Sequence, residues 1–333
     1  MEFQRLLIDV LTKIHSTRFL LGDRAAEEVQ PTARGKRQSR LEEGIISLLF
    51  METGERGLLH GLNVVAEGND PIKFPGAAHT MYVDPVDGTA GFARSIESGV
   101  ETSDPATVIS IVSNREVVTF GEVVASGGLN LRSGQMWIAA DGEGALVGQA
   151  QTGWTFARIE PIRLYNRHSP LLASEFYRLI NRLTMFLINQ PVEWSDFHSS
   201  FLNILQVPLG KADCFFNNVL PDVSNEGQRG HELGAIMPFL KEVQGYAMDT
   251  HTMRPLEETP FTFDGMTPVV IGVDKATIRY YWKMIQENLY KRIVVADRDG
   301  DEEIICEMSA REVIGLLYKT ISTQRWSLRP LAE

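Results

Sequence analysis

One stretch constrains what this chain can fold into more than any other: TMYVDPVDGTAGFARS, residues 80–95. Its apolar start predicts a strand that delivers Asp84 to the rim of a sheet. The chain is expected to leave the strand there, because Pro85 fixes its own φ and restricts the residue before it. Asp87 and Gly88 tolerate a turn with positive φ, so an exposed loop can bring both carboxylates to one point.

Two carboxylates that face one point predict a cation site. Hard oxygen ligands suit Mg²⁺, which keeps several waters and bridges to substrate phosphates. The free backbone amides of Gly88 and Thr89 suit the phosphate oxygens themselves. An ordinary Asp-Gly turn with two solvated aspartates is the alternative, and the local pattern alone favours that alternative.

The composition is typical of a globular protein and argues against some classes of binding partner. Of 333 residues, 44% are hydrophobic and 23% are charged, which is enough for two packed layers or two domains. The formal net charge of -11 argues against nucleic acid polymers and anionic membranes as partners, because both require a basic face. Two widely spaced cysteines, Cys214 and Cys306, indicate a reducing compartment. Without a signal-peptide pattern or an apolar run of membrane length, we expect a cytoplasmic protein.

The apolar pattern divides the chain into three parts. We expect residues 1–160 to form an N-terminal α+β subdomain that binds metal and phosphate. The pattern then changes to strands alternating with helices, which predicts a C-terminal α/β subdomain over residues 161–290. Residues 291–333 are predicted to form an extension made of a hairpin and a helix.

Local signals place the main elements within these parts. Helices are expected at residues 3–18, 41–51, 174–189 and 231–245. A strand is expected to end at Glu67, and two further strands are expected to meet at a turn over residues 113–115. Asp274 is a predicted helix N-cap, and Ser309 with Glu312 forms a predicted capping box in the extension.

The hexapeptide DPVDGT resembles the DPxDGT signature of the inositol monophosphatase superfamily. These are lithium-sensitive, magnesium-dependent phosphatases that also include bisphosphate nucleotidases and fructose bisphosphatases. The resemblance extends in element order over roughly residues 1–290, with strong motif identity at the central loop. It implies an α/β (α+β) fold, the layered αβαβα sandwich of the inositol monophosphatase and fructose bisphosphatase type, and a homodimer.

The resemblance also implies a set of site residues. The expected metal ligands are Glu67, Asp84, the Val86 carbonyl, Asp87 and Glu232. The expected catalytic residues are Glu67, Asp84 and Thr89, with Glu67 and Thr89 orienting and deprotonating a metal-bound water. The expected substrate and phosphate contacts are Asp87, Gly88, Thr89 and Arg229.

Glu232 enters this set through a second family element, W-D-x-A-A-G at the start of a helix. The matching stretch here begins HELG, with His231 in the tryptophan position and Glu232 in the position of the metal-binding aspartate. A carboxylate near a helix N-terminus is favoured by the helix dipole whether or not it binds metal. Asp222 or Glu226 could substitute for Glu232 if the preceding loop folds differently.

Two further positions depart from the family pattern. Gly68 stands where the family has the second residue of a Glu-Glu pair. Ser39 stands near the position of an aspartate that supports an additional, weaker cation. We therefore expect two principal Mg²⁺ ions and a weakened or absent third site.

The sequence thus predicts a Mg²⁺-dependent phosphomonoesterase that hydrolyses a small phosphorylated metabolite by a metal-activated water. Its substrate could be an inositol phosphate, a nucleotide 3′,5′-bisphosphate or a sugar phosphate. The family's inositol-contacting acid falls at Asn225, which does not favour inositol, while Arg229, Lys211 and Arg94 could contact a second phosphate. The alternative is a non-catalytic or weakly active descendant that binds a phosphate ligand or a partner.

Overall fold

The computed structural model describes residues 3–21, 24–25, 27–29, 38–89, 104–149, 154–160, 172–173, 199–218, 220, 222, 227–290, 292–299 and 302–316. The helix predicted over residues 174–189 lies outside these ranges. Within them, no helix is both long enough and apolar enough to cross a membrane. The predicted subdomain boundaries stay predictions.

The helices begin and end where capping and apolar spacing favour it. The described helices are α1 (Phe3–Leu21), α2 (Arg40–Glu52), α3 (Ser200–Leu205), α4 (Gly230–Val243), α5 (Lys275–Asn288) and α6 (310–316). The predicted N-cap at Asp274 is confirmed, since its carboxylate accepts a hydrogen bond from Thr277 N at 2.7 Å. The predicted capping box of Ser309 and Glu312 is confirmed at the start of α6.

A seven-stranded sheet forms the first half of the structure. Its strands are β3 (Asn63–Ala66), β4 (His79–Asp87), β5 (Ala106–Ser113), β6 (Val123–Asn130), β7 (Gln135–Ala140), β8 (Gly144–Gln149) and β9 (Thr155–Ile159), adjacent in that order. β3 and β4 are parallel, and every later pair is antiparallel. A separate antiparallel pair, β1 (Glu28–Val29) and β2 (Gln38–Ser39), precedes α2.

A smaller, five-stranded sheet forms the second half. Its spatial order is β10 (Leu172–Ala173), β11 (Cys214–Phe216), β16 (Val269–Gly272), β13 (Tyr246–Asp249) and β14 (Arg254–Pro255). Two antiparallel pairs accompany it: β12 (Gln228–Arg229) with β15 (Met266–Thr267), and β17 (Arg292–Asp299) with β18 (Glu302–Ser309).

Three apolar cores hold these elements in five layers. α1 and α2 pack on one face of the large sheet. α3 and α4 lie between the two sheets and share one core with both of them. α5 and α6 cover the far face of the small sheet. Because α4 is buried around almost its whole circumference, its sequence is apolar on every side. The predicted αβαβα sandwich is confirmed.

Two local predictions were wrong. The chain does not leave β4 at Pro85, because a bulge between Asp84 and Asp87 absorbs the proline and the strand continues to Asp87. β5 and β6 do not meet at a tight turn over residues 113–115 either. They are joined by residues 114–122, which include a short 3₁₀ turn that buries Phe120 in the core.

Candidate active site

Parallel pairing of β3 and β4 brings Glu67 beside Asp84. Ala66 pairs with Val83, and Glu67 N donates to Val83 O at 3.0 Å, so each carboxylate follows directly after a paired strand residue. Glu67 is 8% exposed and Asp84 is 4% exposed. Burying two neighbouring carboxylates is costly unless positive charge compensates them, so this corner of the sheet requires positive charge nearby.

The residue after Glu67 explains one departure from the family pattern. Gly68 has a φ of 76°, in the left-handed region that glycine occupies without strain. A glutamate in the same backbone conformation would be strained. The turn at this position therefore favours glycine over a second carboxylate.

The bulge in β4 shapes the loop that follows. Asp84 pairs with Val108 and Asp87 pairs with Ala106, so β4 contains one more residue than β5 across this interval. Asp84 Oδ1 accepts a hydrogen bond from Val86 N at 3.1 Å. Gly88 then takes a φ of 90°, as the sequence predicted for a turn with positive φ.

Asp87 is not on an exposed loop, which corrects the expectation from sequence. It is 6% exposed, and its Oδ2 accepts hydrogen bonds from Ser199 Oγ at 2.6 Å and from Phe201 N at 2.9 Å. Ser199 in turn caps α3 by accepting from Leu202 N. Asp87 therefore joins the large sheet to the start of α3 in addition to any role toward a metal.

We expect Asp87→Asn to lower stability as well as activity. A hydrogen bond to a charged group is worth about 1.5 to 3 kcal/mol, and the change weakens two of them. Urea unfolding of the natural chain and the variant measures the loss. Ser199→Ala is the matched control, because it removes one of the two bonds and the cap but keeps the carboxylate. An Asp87→Asn protein as stable as the natural chain would contradict the role of Asp87 in joining these segments.

Thr89 contacts an acid that the sequence analysis missed. Its Oγ1 donates to Val86 O at 2.6 Å and lies 3.4 Å from Oε1 of Glu42. Glu42 is buried at 1% exposure, and its Oε2 accepts from Ser39 N at 2.6 Å. The expectation that this corner lacks an acid, drawn from Ser39, was wrong. The signal was present, because a serine followed three residues later by glutamate is a capping box.

Glu232 occupies the first turn of α4 and is buried at 6% exposure. Its Oε2 accepts a hydrogen bond from Arg229 N at 3.0 Å. Of the two alternatives to Glu232, Asp222 is ion-paired with Arg311 and its side chain is 60% exposed. The other alternative, Glu226, lies outside the described residues. Asp222 therefore does not replace Glu232 in this buried site.

Arg229 supplies part of the positive charge that the acids require. Its guanidinium donates to Oε1 of Glu67, while 47% of its side chain remains exposed. Burial lowers the pKa of Arg229, but the nearby carboxylates of Glu67 and Glu232 raise it by more. Of the other predicted phosphate contacts, Lys211 is exposed in the turn after α3, and Arg94 lies outside the described residues.

His231 is the second basic group at the site. It is 2% exposed, and its Nδ1 lies 3.0 Å from Phe263 O, which can only accept, so Nδ1 carries a proton. Its Nε2 lies 3.4 Å from Asp84 Oδ2 yet makes no hydrogen bond with a described residue. Burial lowers the pKa of His231, but Asp84, Glu232 and Glu67 together raise it to about 9.

Glu67, Asp84 and His231 form a compact group of potential ligands. Each offers one atom, and the three atoms all lie within 4.8 Å of one another. All three residues are buried, so water competes weakly for them. Sequence reasoning had placed two of the three in the metal site, but it had treated His231 only as a replacement for tryptophan.

Comparison with known proteins gives the fold. No protein-family profile and no curated protein matches the chain, but solved structures do. The IMPase (inositol monophosphatase) of Thermotoga maritima matches with a TM-score of 0.61, covering 86% of this chain and 98% of its own at 16% identity. A staphylococcal IMPase solved with its products matches with a TM-score of 0.62, covering 86% of this chain and 96% of its own at 14% identity. This chain has the inositol monophosphatase fold.

A third structure with the inositol monophosphatase fold was solved with a metal ion. An IMPase/NADP phosphatase complexed with Mg²⁺ and phosphate matches with a TM-score of 0.62 at 14% identity, over 86% of this chain and 96% of its own. In the present chain, a divalent cation fits the buried acids on chemical grounds. Two carboxylates and a buried imidazole nitrogen without a hydrogen bond among the described residues are ligand types that such ions bind.

Proposed function

We propose that this chain is a divalent-cation-dependent phosphomonoesterase that acts on a small phosphorylated metabolite. The observation that supports this most directly is the buried pair of Glu67 and Asp84, side by side on two parallel strands of an inositol monophosphatase fold, with Glu67 directly after β3 and Asp84 at the bulge of β4. Burying two neighbouring carboxylates is costly, and a metal-dependent reaction gives a reason to keep both.

Five residues would hold two ions, with Asp84 shared between them. Glu67, Asp84 and the Val86 carbonyl are the proposed ligands of one ion. Asp84, Asp87 and Glu232 are the proposed ligands of a second. A bound divalent cation supplies charge that acidifies a water and stabilises the leaving oxygen. With the family resemblance as support, Mg²⁺ is the starting assignment for both positions.

The protein groups around the acids have their own proposed roles. The Thr89 hydroxyl, held at 2.6 Å from Val86 O, keeps its oxygen lone pairs for orienting the attacking water. Glu67 is the proposed acceptor of the proton from that water. The amides of Gly88 and Thr89, which follow the bulge, are proposed to hold phosphate oxygens.

Arg229 is the proposed contact to the substrate phosphate. The guanidinium of Arg229 contacts the buried carboxylate of Glu67, but about half of the Arg229 side chain is exposed. The side chain can therefore turn toward solvent without leaving a hole in the core. A cation at Glu67 would neutralise the partner of Arg229, and the phosphate would offer the guanidinium a second pair of acceptor oxygens. Arg229 would thus turn from Glu67 to the substrate when both ligands are present.

Glu232→Gln is expected to lower metal affinity by about 10- to 100-fold while changing stability little. The amide oxygen can still accept from Arg229 N, but it no longer neutralises the ion. Glu232→Asp is the sharper variant, because a backbone adapted to glutamate leaves the shorter side chain out of reach. Calorimetric titration with Mg²⁺ on the three proteins measures the difference. Equal affinities, with stability shifted by only about 0.3 to 1 kcal/mol, would show that Glu232 serves the helix dipole alone.

A phosphate-release screen tests the proposed activity. Inositol phosphates, nucleotide 3′,5′-bisphosphates and sugar phosphates are compared with and without added divalent cation. Release that depends on the cation and is lost in Asp84→Asn supports the proposal. The predicted homodimer and cytoplasmic location rest on the resemblance and composition alone and stay predictions.

One observation favours a second candidate, a protein that binds phosphate ligands without hydrolysing them. Arg229 and His231 already place basic groups against Glu67 and Asp84, so the acids are partly compensated by the protein itself. In that case no cation would support phosphate release. A phosphorylated compound would nevertheless raise the melting temperature, and Arg229→Gln would remove that shift.

A further inference from the structure

We propose that His231 is itself a metal ligand, so that the ion at Glu67 and Asp84 is a first-row transition metal such as Zn²⁺ or Co²⁺ in place of Mg²⁺. The inference rests on the proposed function for the reaction that the ion would serve. The site itself is argued from its own geometry.

The imidazole of His231 lies beside both acids. His231 Nε2 lies 3.4 Å from Asp84 Oδ2, and potential ligand atoms of Glu67, Asp84 and His231 lie within 4.8 Å of one another. Ligand atoms that share a tetrahedral ion with bonds of about 2.1 Å are about 3.4 Å apart. Small side-chain movements would therefore bring the three atoms onto one ion.

A hydrogen bond on the other ring nitrogen orients the imidazole toward the acids. Nδ1 donates to Phe263 O, which fixes the tautomer and leaves Nε2 as the nitrogen that faces the acids. Metal-binding histidines are oriented in the same way, by a carbonyl or carboxylate on the other ring nitrogen. Aromatic packing holds this carbonyl in place, since the Phe263 ring stacks on Tyr82 of β4 and contacts the His231 ring at a centroid distance of 4.8 Å.

The types of donor atom favour a transition metal over Mg²⁺ at this position. Mg²⁺ takes oxygen ligands in near-octahedral geometry and gives up its waters reluctantly. An imidazole nitrogen suits Zn²⁺ and other late first-row ions, and Zn²⁺ also accepts Asp and Glu oxygens as ligands. The second proposed position, at Asp87 and Glu232, has oxygen donors only and keeps its preference for Mg²⁺.

Protonated His231 paired with Asp84 is the competing state. In that state the nitrogen that faces the acids carries a proton, and His231 with Arg229 would provide two fixed positive charges. The metal and the proton compete for the same lone pair, so direct metal binding separates the two readings.

The test is calorimetry with Zn²⁺ alone and with Mg²⁺ alone on three proteins: the natural chain, His231→Asn and His251→Asn. Asparagine keeps a donor near the Nδ1 position for Phe263 O and removes the second nitrogen. His251 is an exposed histidine in the turn after β13 and serves as the matched control. We expect His231→Asn to lower Zn²⁺ affinity by about 10- to 100-fold or more, because changes to the outer hydrogen-bond partners of a metal ligand already cost that much. Mg²⁺ affinity should stay unchanged, and His251→Asn should match the natural chain.

A second measurement avoids dependence on the variant's folding. X-ray absorption at the zinc edge of the natural chain loaded with one equivalent of Zn²⁺ should show the scattering pattern of one imidazole. A spectrum with oxygen scatterers alone, or equal Zn²⁺ affinity in the natural chain and His231→Asn, would overturn the inference. If the inference were overturned in this way but Mg²⁺ supported phosphate release, the proposed function would still hold. If Zn²⁺ bound to the imidazole but no cation supported phosphate release, the metal site would be supported and the proposed phosphomonoesterase function would be contradicted.

Discussion

Asp84→Asn is expected to lose phosphate release by on the order of 100- to 1,000-fold, or about 3 to 4 kcal/mol of transition-state stabilisation, while the fold remains intact. Asp84 is the residue shared by both proposed ion positions, so its charge affects every cation at the site. The asparagine oxygen can still accept from Val86 N, which keeps the turn within the bulge. Removing one of several buried negative charges reduces repulsion with Glu67 and Glu232, which offsets the lost attraction to His231, so stability should change little.

The measurement pairs steady-state phosphate release with urea unfolding. Asp249→Asn is the matched control, because Asp249 is equally buried but is used for structure: it accepts from His251 N and from Thr252 Oγ1, each at 2.8 Å. We expect that control to lose stability and keep activity, the reverse pattern. An Asp84→Asn protein that retains more than about a tenth of the activity would contradict the assignment of Asp84 as a shared ligand.

Gly230→Ala is expected to have the largest effect on stability and to weaken metal binding with it. A Cβ at Gly230 would lie 1.8 Å from Thr262 O, a backbone atom that cannot turn aside. Gly230 N donates to Gly265 O, and His231 N donates to Phe263 O, so the start of α4 is fixed against this segment. The added methyl group must push the two apart, at a cost of about 1 to 3 kcal/mol or more.

The displaced helix start would move His231 and Glu232 away from Glu67 and Asp84. Calorimetry with Zn²⁺ and urea unfolding should therefore change together. Gly44→Ala in α2 is the control, since its Cβ would meet only side-chain atoms at 3.3 and 3.4 Å and a helix interior gains about 1 kcal/mol from alanine. If Gly230→Ala unfolds at the same urea concentration as the natural chain, the close approach of α4 to residue 262 is wrong.

Local signals predicted much of the fold. Apolar spacing gave α1 and α2 to within a few residues, and capping patterns gave the starts of α5 and α6. These elements were predictable because their hydrogen bonds and buried faces are set by residues a few positions apart. The order of the elements, together with DPVDGT, was then sufficient for the layered architecture.

The candidate site was less predictable, because its decisive contacts join distant residues. Arg229 and Glu67 are 162 residues apart, and Asp87 and Ser199 are 112 apart. No local pattern reports such a contact. Glu42 was different, since the capping pattern of Ser39 and Glu42 is visible in the sequence but was missed. The bulge at Asp84 could not be predicted either, because a proline near the end of a strand is as typical of the strand ending there as of a bulge.

The bonds from Asp87 to Ser199 Oγ and Phe201 N have a consequence for biosynthesis. Residues of the first sheet are made well before α3 and α4, yet Asp87 finds its partners only when α3 exists, and Glu67 meets Arg229 only when the start of α4 exists. Contacts of such long sequence separation close late in folding, after the loop entropy between them has been overcome. A nascent chain that ends before α3 therefore has a nearly complete first sheet but an unfinished centre, with its buried acids still open to water. The proposed cation site would then be completed only after the start of α4 has been made, and an N-terminal half alone would bind cations only weakly.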